Sequence, residues 1–263
     1  MKPVEHLQAY SRRRWLKSAF TVVAGVVVGG CDTLARSSGV NQVLGSGEAL
    51  TYRVQRLLLG GHSLAREYPE SAISADFRAN GTIRPDSEEY DLLHQGGFAD
   101  WRLKVDGLVE QPLSLSLADL RALPARTQVT RHDCVEGWSS IAKWRGARLS
   151  AVLDKAVLRP TARYLVFHCA DTLELTLDGT GQYYESIDLI DAAHEQTILA
   201  YEMNDKPLPV ANGAPLRLRV ERQLGYKMAK YVMRIEAVDS FGHIGRGQGG
   251  YWEDRGYQWY AGI

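Results

Sequence analysis

The chain has 263 residues, 45% of them hydrophobic, and its 31 basic and 31 acidic side chains leave a formal net charge of zero. That balance supplies no bulk field for nucleic acid or an acidic polymer, so no nucleic-acid partner is expected. Length and composition suit a large α+β unit able to bury a sizeable core.

The first predicted element is an address. Ser11-Arg12-Arg13-Arg14-Trp15-Leu16-Lys17 precedes an uncharged apolar stretch from Ala19 to Gly30. The stretch is shorter than the ~20 residues a spanning helix needs, which favours an export signal over an anchor. Its arginines, aromatic, leucine and lysine resemble the twin-arginine type, read by a translocase that moves folded proteins. Residues 1–30 are therefore expected to send the chain to the periplasm. Val28-Gly29-Gly30-Cys31 resembles a lipobox, and Asp32 the residue that retains lipoproteins at the inner membrane. Lipidation of Cys31, plain cleavage and an uncleaved signal stay open. Residues 31–60, with Ser37, Ser38, Gly39, Gly45, Ser46 and Gly47, read as a tether running into a helix or strand at Tyr52 to Leu59.

The domain is expected over 61–263. Trp101, Leu103 and Val105 alternate as in a half-buried strand, and Asp106-Gly107 marks a turn. Ser116 to Leu123 predicts a short serine-capped helix closed by Pro124, and Arg126 to Arg131 a strand. Leu149, Val152, Leu153, Ala156 and Val157 have helical spacing, stopped by Pro160. Strands are predicted at Tyr164 to Cys169, Thr197 to Met203, Leu216 to Val220 and Tyr231 to Val238. Scattered strands between short helices argue for α+β and against a doubly wound sheet.

Residues 131–147, RHDCVEGWSSIAKWRGA, set Cys134 among charges, glycines and tryptophans. Arg131, His132, Asp133 and Glu136 are poor core residues, so the segment reads as a polar loop holding a thiolate. Arg131 and His132 favour the thiolate, and Asp133 and Glu136 oppose it. The order Arg131-His132-Asp133-Cys134-Val135-Glu136-Gly137-Trp138-Ser139, with Trp144 and Gly146, resembles the cysteine loop of the sulfite oxidase family of molybdopterin enzymes. A second block, Asn212-Gly213-Ala214-Pro215-Leu216-Arg217 with Gly225-Tyr226-Lys227-Met228-Ala229-Lys230, resembles that family's pterin-binding half. Its chemistry suits an anion: Arg217 grips a phosphate by paired hydrogen bonds, Lys227 and Lys230 add charge, and Gly225 lets main-chain N–H groups approach. Arg219 and Arg222 read as solvated strand residues.

The resemblance implies the mixed sheets and short helices of the sulfite oxidase molybdopterin-binding fold, with molybdenum-molybdopterin as cofactor and Cys134 as the metal's protein ligand. It carries cofactor binding to Asn212, Arg217, Lys227, Met228, Ala229 and Lys230. Cys169 falls where relatives have a pterin-contacting threonine, and Phe77-Arg78-Ala79-Asn80-Gly81 resembles the pterin loop loosely, through Arg78 and Asn80. The bacterial stand-alone branch, which includes periplasmic methionine-sulfoxide reductases, is the nearer likeness. Glu136-Gly137-Trp138 stands where the animal enzymes have basic residues, which weighs against sulfite.

The implied activity is oxygen-atom transfer to or from a small S-oxide, N-oxide or sulfite, with His132 and Glu136 as candidate proton relays beside Cys134. The chain has no Cys-x-x-Cys-His haem site, so a separate cytochrome b or cytochrome c is the expected electron partner. The resemblance leaves no room for the separate immunoglobulin-like dimerisation domain of the animal relatives, so a monomer is the simpler expectation. Two other readings compete. A cysteine hydrolase leaves the cationic block without purpose. A non-catalytic periplasmic lipoprotein, serving as a binding or redox scaffold, predicts a Cys134–Cys169 disulfide. The aromatic run Gly249 to Tyr260 is expected to lie on the core, cover the entrance or dock a partner.

Overall fold

The computed structural model describes residues 38–263. The export signal, the lipobox and Cys31 lie outside the described residues. The first described element is a helix, α1 (Ser38–Leu59). Residues 55–263 form a compact unit of their own, which holds the site. Among the described residues no helix is long and apolar enough to cross a membrane.

Helix α2 (Glu88–Gln95) starts where the Ser87 hydroxyl accepts from the Tyr90 amide. Strand β1 (Leu103–Gly107) alternates as predicted, with Leu103 and Val105 inside, and pairs with β2 (Leu113–Leu115). Helix α3 (Leu117–Arg121) opens on a reciprocal capping box between Ser116 and Asp119. Strands β3 (Ala125–Asp133) and β4 (Ser139–Arg148) make a long hairpin. Helix α4 (Leu149–Ala156) buries the predicted face and stops short of Pro160, because Val157 takes a left-handed φ of 55°.

After β5 (Tyr164–Thr172) come β6 (Gln182–Asp188), α5 (Leu189–Ala193), β7 (Ile198–Met203), β8 (Lys206–Pro207), β9 (Arg217–Arg219) and β10 (Val232–Val238). One sheet runs β2-β1-β10-β5-β6 and the other β3-β4-β7-β8, with β9 also on β7. Among the described residues only β1 and β10 run parallel, so the fold is α+β with mixed pairing. One core joins the two sheets: Leu103, Phe167 and Ile235 from the first pack in a cluster with Ala147, Leu199 and Leu218 from the second. Each such large side chain contributes about 1.5–3 kcal/mol on burial.

Strand β9 sets up the site. Period-two alternation sends Leu218 into that core and turns Arg217 and Arg219 to the opposite face, yet both arginines are fully buried. This corrects the expectation of solvated strand residues for Arg219 and Arg222. Arg219 holds Glu221 through two N–H groups at 2.9 and 2.7 Å, and Arg222 reaches Asp191 at 2.7 Å. A buried cation needs such partners, and here they sit within two residues or on a neighbouring helix.

The aromatic tail lies on the core: Tyr251, Glu253, Tyr260 and Ala261 are buried. Trp259 stacks on Phe241, with centroids 5.9 Å apart.

Candidate active site

The β3–β4 hairpin carries the cysteine. The Cys134 amide donates to the Trp138 carbonyl at 2.9 Å and the Gly137 amide to the Cys134 carbonyl at 3.0 Å. Asp133 braces the loop, accepting from Arg131 at 2.8 Å and from the Ser139 hydroxyl at 2.5 Å. Arg131 is thereby spent on Asp133. Burial pushes the Cys134 thiol up and the Glu136 charge adds to it, against main-chain N–H groups of the loop and the Arg78 guanidinium. A metal would reverse that balance by taking the thiolate.

Cys134 and Glu136 line a cleft with Asn80, Thr82, Asp171, Tyr226, Met228 and Lys230, and Trp252 and Tyr257 of the tail contribute to its wall. The cleft encloses about 720 Å³ of free space, its open mouth included. Glu136 accepts from the Trp138 indole at 2.9 Å. Arg78 lies over the Trp138 ring at 5.4 Å.

His132 is not on the cleft wall. Its Nδ1 meets Arg219 Nη1 at 3.1 Å and Met228 Sδ at 3.3 Å. A guanidinium has only N–H to offer, so Nδ1 accepts and the proton of the neutral ring sits on Nε2. Burial, then the charges of Arg219, Arg217 and Lys230, hold this imidazole far below its usual value. A side-chain carbon on residue 225 would fall 2.4 Å from the ring, which is why glycine stands there.

The cations of the second block separate into two groups. Arg217 donates to the Asn212 carbonyl at 3.0 Å and lies over Trp144 at 5.0 Å, with Arg219 over the same ring at 4.4 Å. No carboxylate is hydrogen-bonded to Arg217. Burial and the neighbouring Arg219 charge press it down to about 9. Lys230 donates to the carbonyls of Asn80, Thr82 and Ala211, and burial followed by the Arg217 charge brings it to about 7. Gly213 fits between them, since a Cβ there would come within 2.9 Å of Lys230 and 3.2 Å of Arg217. Lys227 is elsewhere, fully buried against Glu185 and Glu253.

The remaining predicted residues fall close by. The Met228 carbonyl faces Arg217 at 3.5 Å, and the Ala229 carbonyl accepts from Leu218 at 2.8 Å. Cys169 is buried in the core two residues before Asp171. Cys134 and Cys169 are both free thiols, so the disulfide of the scaffold reading is not formed. Sequence reasoning missed Arg219 and Asp171. The one signal for Asp171 was a carboxylate directly continuing an apolar strand.

The residues suit molybdopterin. Asn80 Oδ1, His132 Nε2, Trp144 Nε1, Asp171 Oδ1, Asn212 Nδ2 and Arg217 Nε are all buried without a hydrogen-bond partner, a concentration of orphaned groups that calls for a polar ligand. Arg217 and Lys230, to which no carboxylate among the described residues is hydrogen-bonded, suit a phosphate. Among the described residues no three His, Cys, Asp or Glu side chains gather as a metal cage; Cys134 would be the side chain that offers a bound metal a thiolate.

A buried cationic cradle beside a single accessible cysteine defines an enzyme that holds an anionic cofactor and a metal together. The chain belongs to the family described as the oxidoreductase molybdopterin-binding domain, which matches residues 93–242; it is an oxidoreductase carrying molybdenum-molybdopterin. It is 35% identical, over 98% of its length and 90% of the relative's, to a provisionally named protein-methionine-sulfoxide reductase subunit, YedZ1, of Azospira oryzae. It is 37% identical to the protein-methionine-sulfoxide reductase catalytic subunit MsrP of Xanthomonas campestris pv. campestris, over 53% of this chain and 45% of that one. The chain thus spans just under half of MsrP. Among solved structures, sulfane dehydrogenase SoxCD of Paracoccus pantotrophus matches with a TM-score of 0.48 and 24% identity, over 54% of this chain and 39% of that one.

Proposed function

We propose that the enzyme reduces an S-oxide of the methionine-sulfoxide class, taking electrons from a separate haem protein in the periplasm. One observation carries the reading: the cleft wall holds a single cation, Lys230, and its ammonium is already bonded to three main-chain carbonyls. Around Cys134 stand a carboxylate, Glu136, and the aromatic faces of Tyr226, Trp252 and Tyr257. Such walls receive a neutral, partly apolar sulfoxide and offer nothing to the two charges of sulfite. The names of the Azospira and Xanthomonas relatives support the same substrate class.

The reaction R₂S=O + 2H⁺ + 2e⁻ → R₂S + H₂O breaks the sulfur–oxygen bond and sends the oxygen to water. Bound molybdenum-molybdopterin supplies the two-electron oxygen-atom transfer. The chain's own part is to hold: Cys134 offers its thiolate to the metal, and Arg217 and Asn212 offer N–H groups to the phosphate. Glu136, exposed at the mouth, is placed to pass protons inward from water, whereas His132 is sealed behind Arg219 and keeps a bracing role. Export through the twin-arginine route and anchoring through Cys31 complete the proposal, supported by the signal-like residues 11–32.

The test supplies exported holoenzyme with a reduced dye and compares methionine sulfoxide, dimethyl sulfoxide and an N-oxide, with sulfite oxidation run in reverse. Sulfoxide-dependent dye oxidation is expected. Sulfite oxidation with inert sulfoxides overturns the reading.

A further inference from the structure

The last turn of α1 is bound to the start of α5, and the binding leaves its leucines in water. Arg56 donates to Asp188 and to Asp191, each at 2.8 Å, and its guanidinium lies 5.1 Å over the Tyr260 ring. The chain that follows is fastened along the same edge. Arg222 donates to the Gly60 carbonyl at 3.0 Å, His194 Nε2 to the Ser63 carbonyl at 3.1 Å, and the Ala65 amide to the Gln196 side chain at 2.7 Å. Between these fixed points the large apolar side chains are open to solvent: Leu57 is 82% exposed, Leu58 75% and Leu64 52%. Ile190, set between the two aspartates that hold Arg56, is 43% exposed and stands beside Gly61, where a side-chain carbon would fall 3.8 Å from its Cγ2. Single exposed leucines are ordinary, but several on two segments locked to one edge make a patch that wants a cover.

The charge around the patch names the cover. Residues 49–66 contain three arginines, Arg53, Arg56 and Arg66, and no carboxylate. Arg56 is spent on the aspartates, while Arg53 and Arg66 are exposed. Leucines beside unopposed arginines on a fixed element suit an anionic bilayer surface, with the leucines among acyl chains and the cations at headgroup phosphates. A protein partner would also take the leucines but gives no reason for every carboxylate to be missing. The place of the patch in the chain agrees, since the uncharged stretch Ala19 to Gly30 and Cys31 precede α1, and the run from Cys31 to Ser38 reaches at most about 25 Å. We infer that Leu57, Leu58, Leu64 and Ile190 form a surface that docks on an anionic lipid bilayer, a second hold beside any acyl chain on Cys31. A single lipid chain binds a membrane only marginally, and a second contact makes the hold stable. The inference rests on the membrane-side location proposed above and on no particular substrate.

The test places a nitroxide label on the full-chain holoenzyme at Leu57→Cys, Leu58→Cys, Leu64→Cys or Ile190→Cys in turn. Leu177→Cys, at a fully exposed leucine between β5 and β6, is the reference, and label-treated wild type supplies the blank for the native cysteines. Vesicles of phosphatidylglycerol and phosphatidylethanolamine are added, and depth is read from collisions with oxygen, which concentrates in lipid, and with a nickel chelate, which stays in water. The four patch labels are expected to lose nickel accessibility and gain oxygen accessibility, while the Leu177 label keeps both values. Leu57→Gln with Leu58→Gln should return the Leu64 label to water without changing the enzyme's activity on a soluble substrate. Cys31→Ser should leave the four labels in lipid, so absence of an acyl chain does not decide the result, and neither does failure of the sulfoxide reading, since no substrate is present. Patch labels that stay open to nickel on a vesicle-bound or unbound chain overturn the assignment. So do labels already shielded before lipid is added, which would place the N-terminal stretch or a second copy on the patch, and labels that enter neutral phosphatidylcholine vesicles as readily.

Discussion

Lys227 and the Arg217–Lys230 pair lie in one short stretch of sequence, are all buried, and end in opposite situations. Lys227 sits between two carboxylates, Glu185 and Glu253. Burial opposes its charge and the two acids overcome that, so the lysine is held above its usual value while Glu185, buried beside Glu253, is pushed well up. Arg217 and Lys230 have no carboxylate bonded to them and both fall below their usual values. A balanced buried charge is structure; an unbalanced one is a place kept for a ligand.

That contrast breaks most visibly at Lys227. Replacing it by Met leaves Glu185 and Glu253 facing each other without a cation, and should cost about 3–5 kcal/mol, read from the urea midpoint. It also loosens the tail, because Glu253 is the tail's buried anchor. Arg217→Met should behave in the opposite way. The apoprotein, relieved of an unpaired buried cation, is expected to unfold at the same or a higher urea concentration, while molybdenum and pterin per chain drop by about tenfold or more. A strongly destabilised Arg217→Met apoprotein would remove the distinction between the two groups.

The third effect is a pH slope. In the unfolded chain Lys230 keeps its proton up to the ordinary value of 10.5, whereas in the folded apoprotein it loses it near 7. Between those values the unfolded state binds more protons, so apoprotein stability should climb as pH rises from 7 towards 10. Lys230→Met should flatten that part of the melting-temperature profile, and so should bound cofactor, whose phosphate holds the ammonium charged. A wild-type apoprotein profile without that slope would say that Lys230 is balanced after all.

Much of this was legible from residue order, and the failures share one cause. Strands β1, β5, β7 and β10 and helices α3 and α4 announce themselves because their buried positions are large and apolar. Strand β4 does not, since its inward positions are Ser140, Ala142, Trp144 and Gly146, mostly too small to register as a hydrophobic alternation. Strand β6 hides for the opposite reason: its inward run includes Glu185, Ser186 and Asp188, side chains that read as surface until their partners are known. The same rule that hid β6 put Arg219 and Arg222 in solvent. Charges signal exposure only when nothing in the fold neutralises them, and the neutralising residues here come from helices, strands and a tail that local sequence cannot bring together. The cysteine loop and the Asn212–Lys230 block were visible because their chemistry is local, whereas Asp171 gains meaning only from the empty face of its carboxylate.

The tail wall has a consequence in time. A ribosome finishes Arg217 to Lys230, the cradle for the cofactor's phosphate, more than twenty residues before it adds Trp252 and Tyr257, which narrow the cleft. The cradle's residues therefore leave the ribosome before the tail that supports them, and a chain interrupted between Val238 and Tyr251 would lack Glu253, the carboxylate that meets Lys227, as well as the Ala261 carbonyl that holds Leu224.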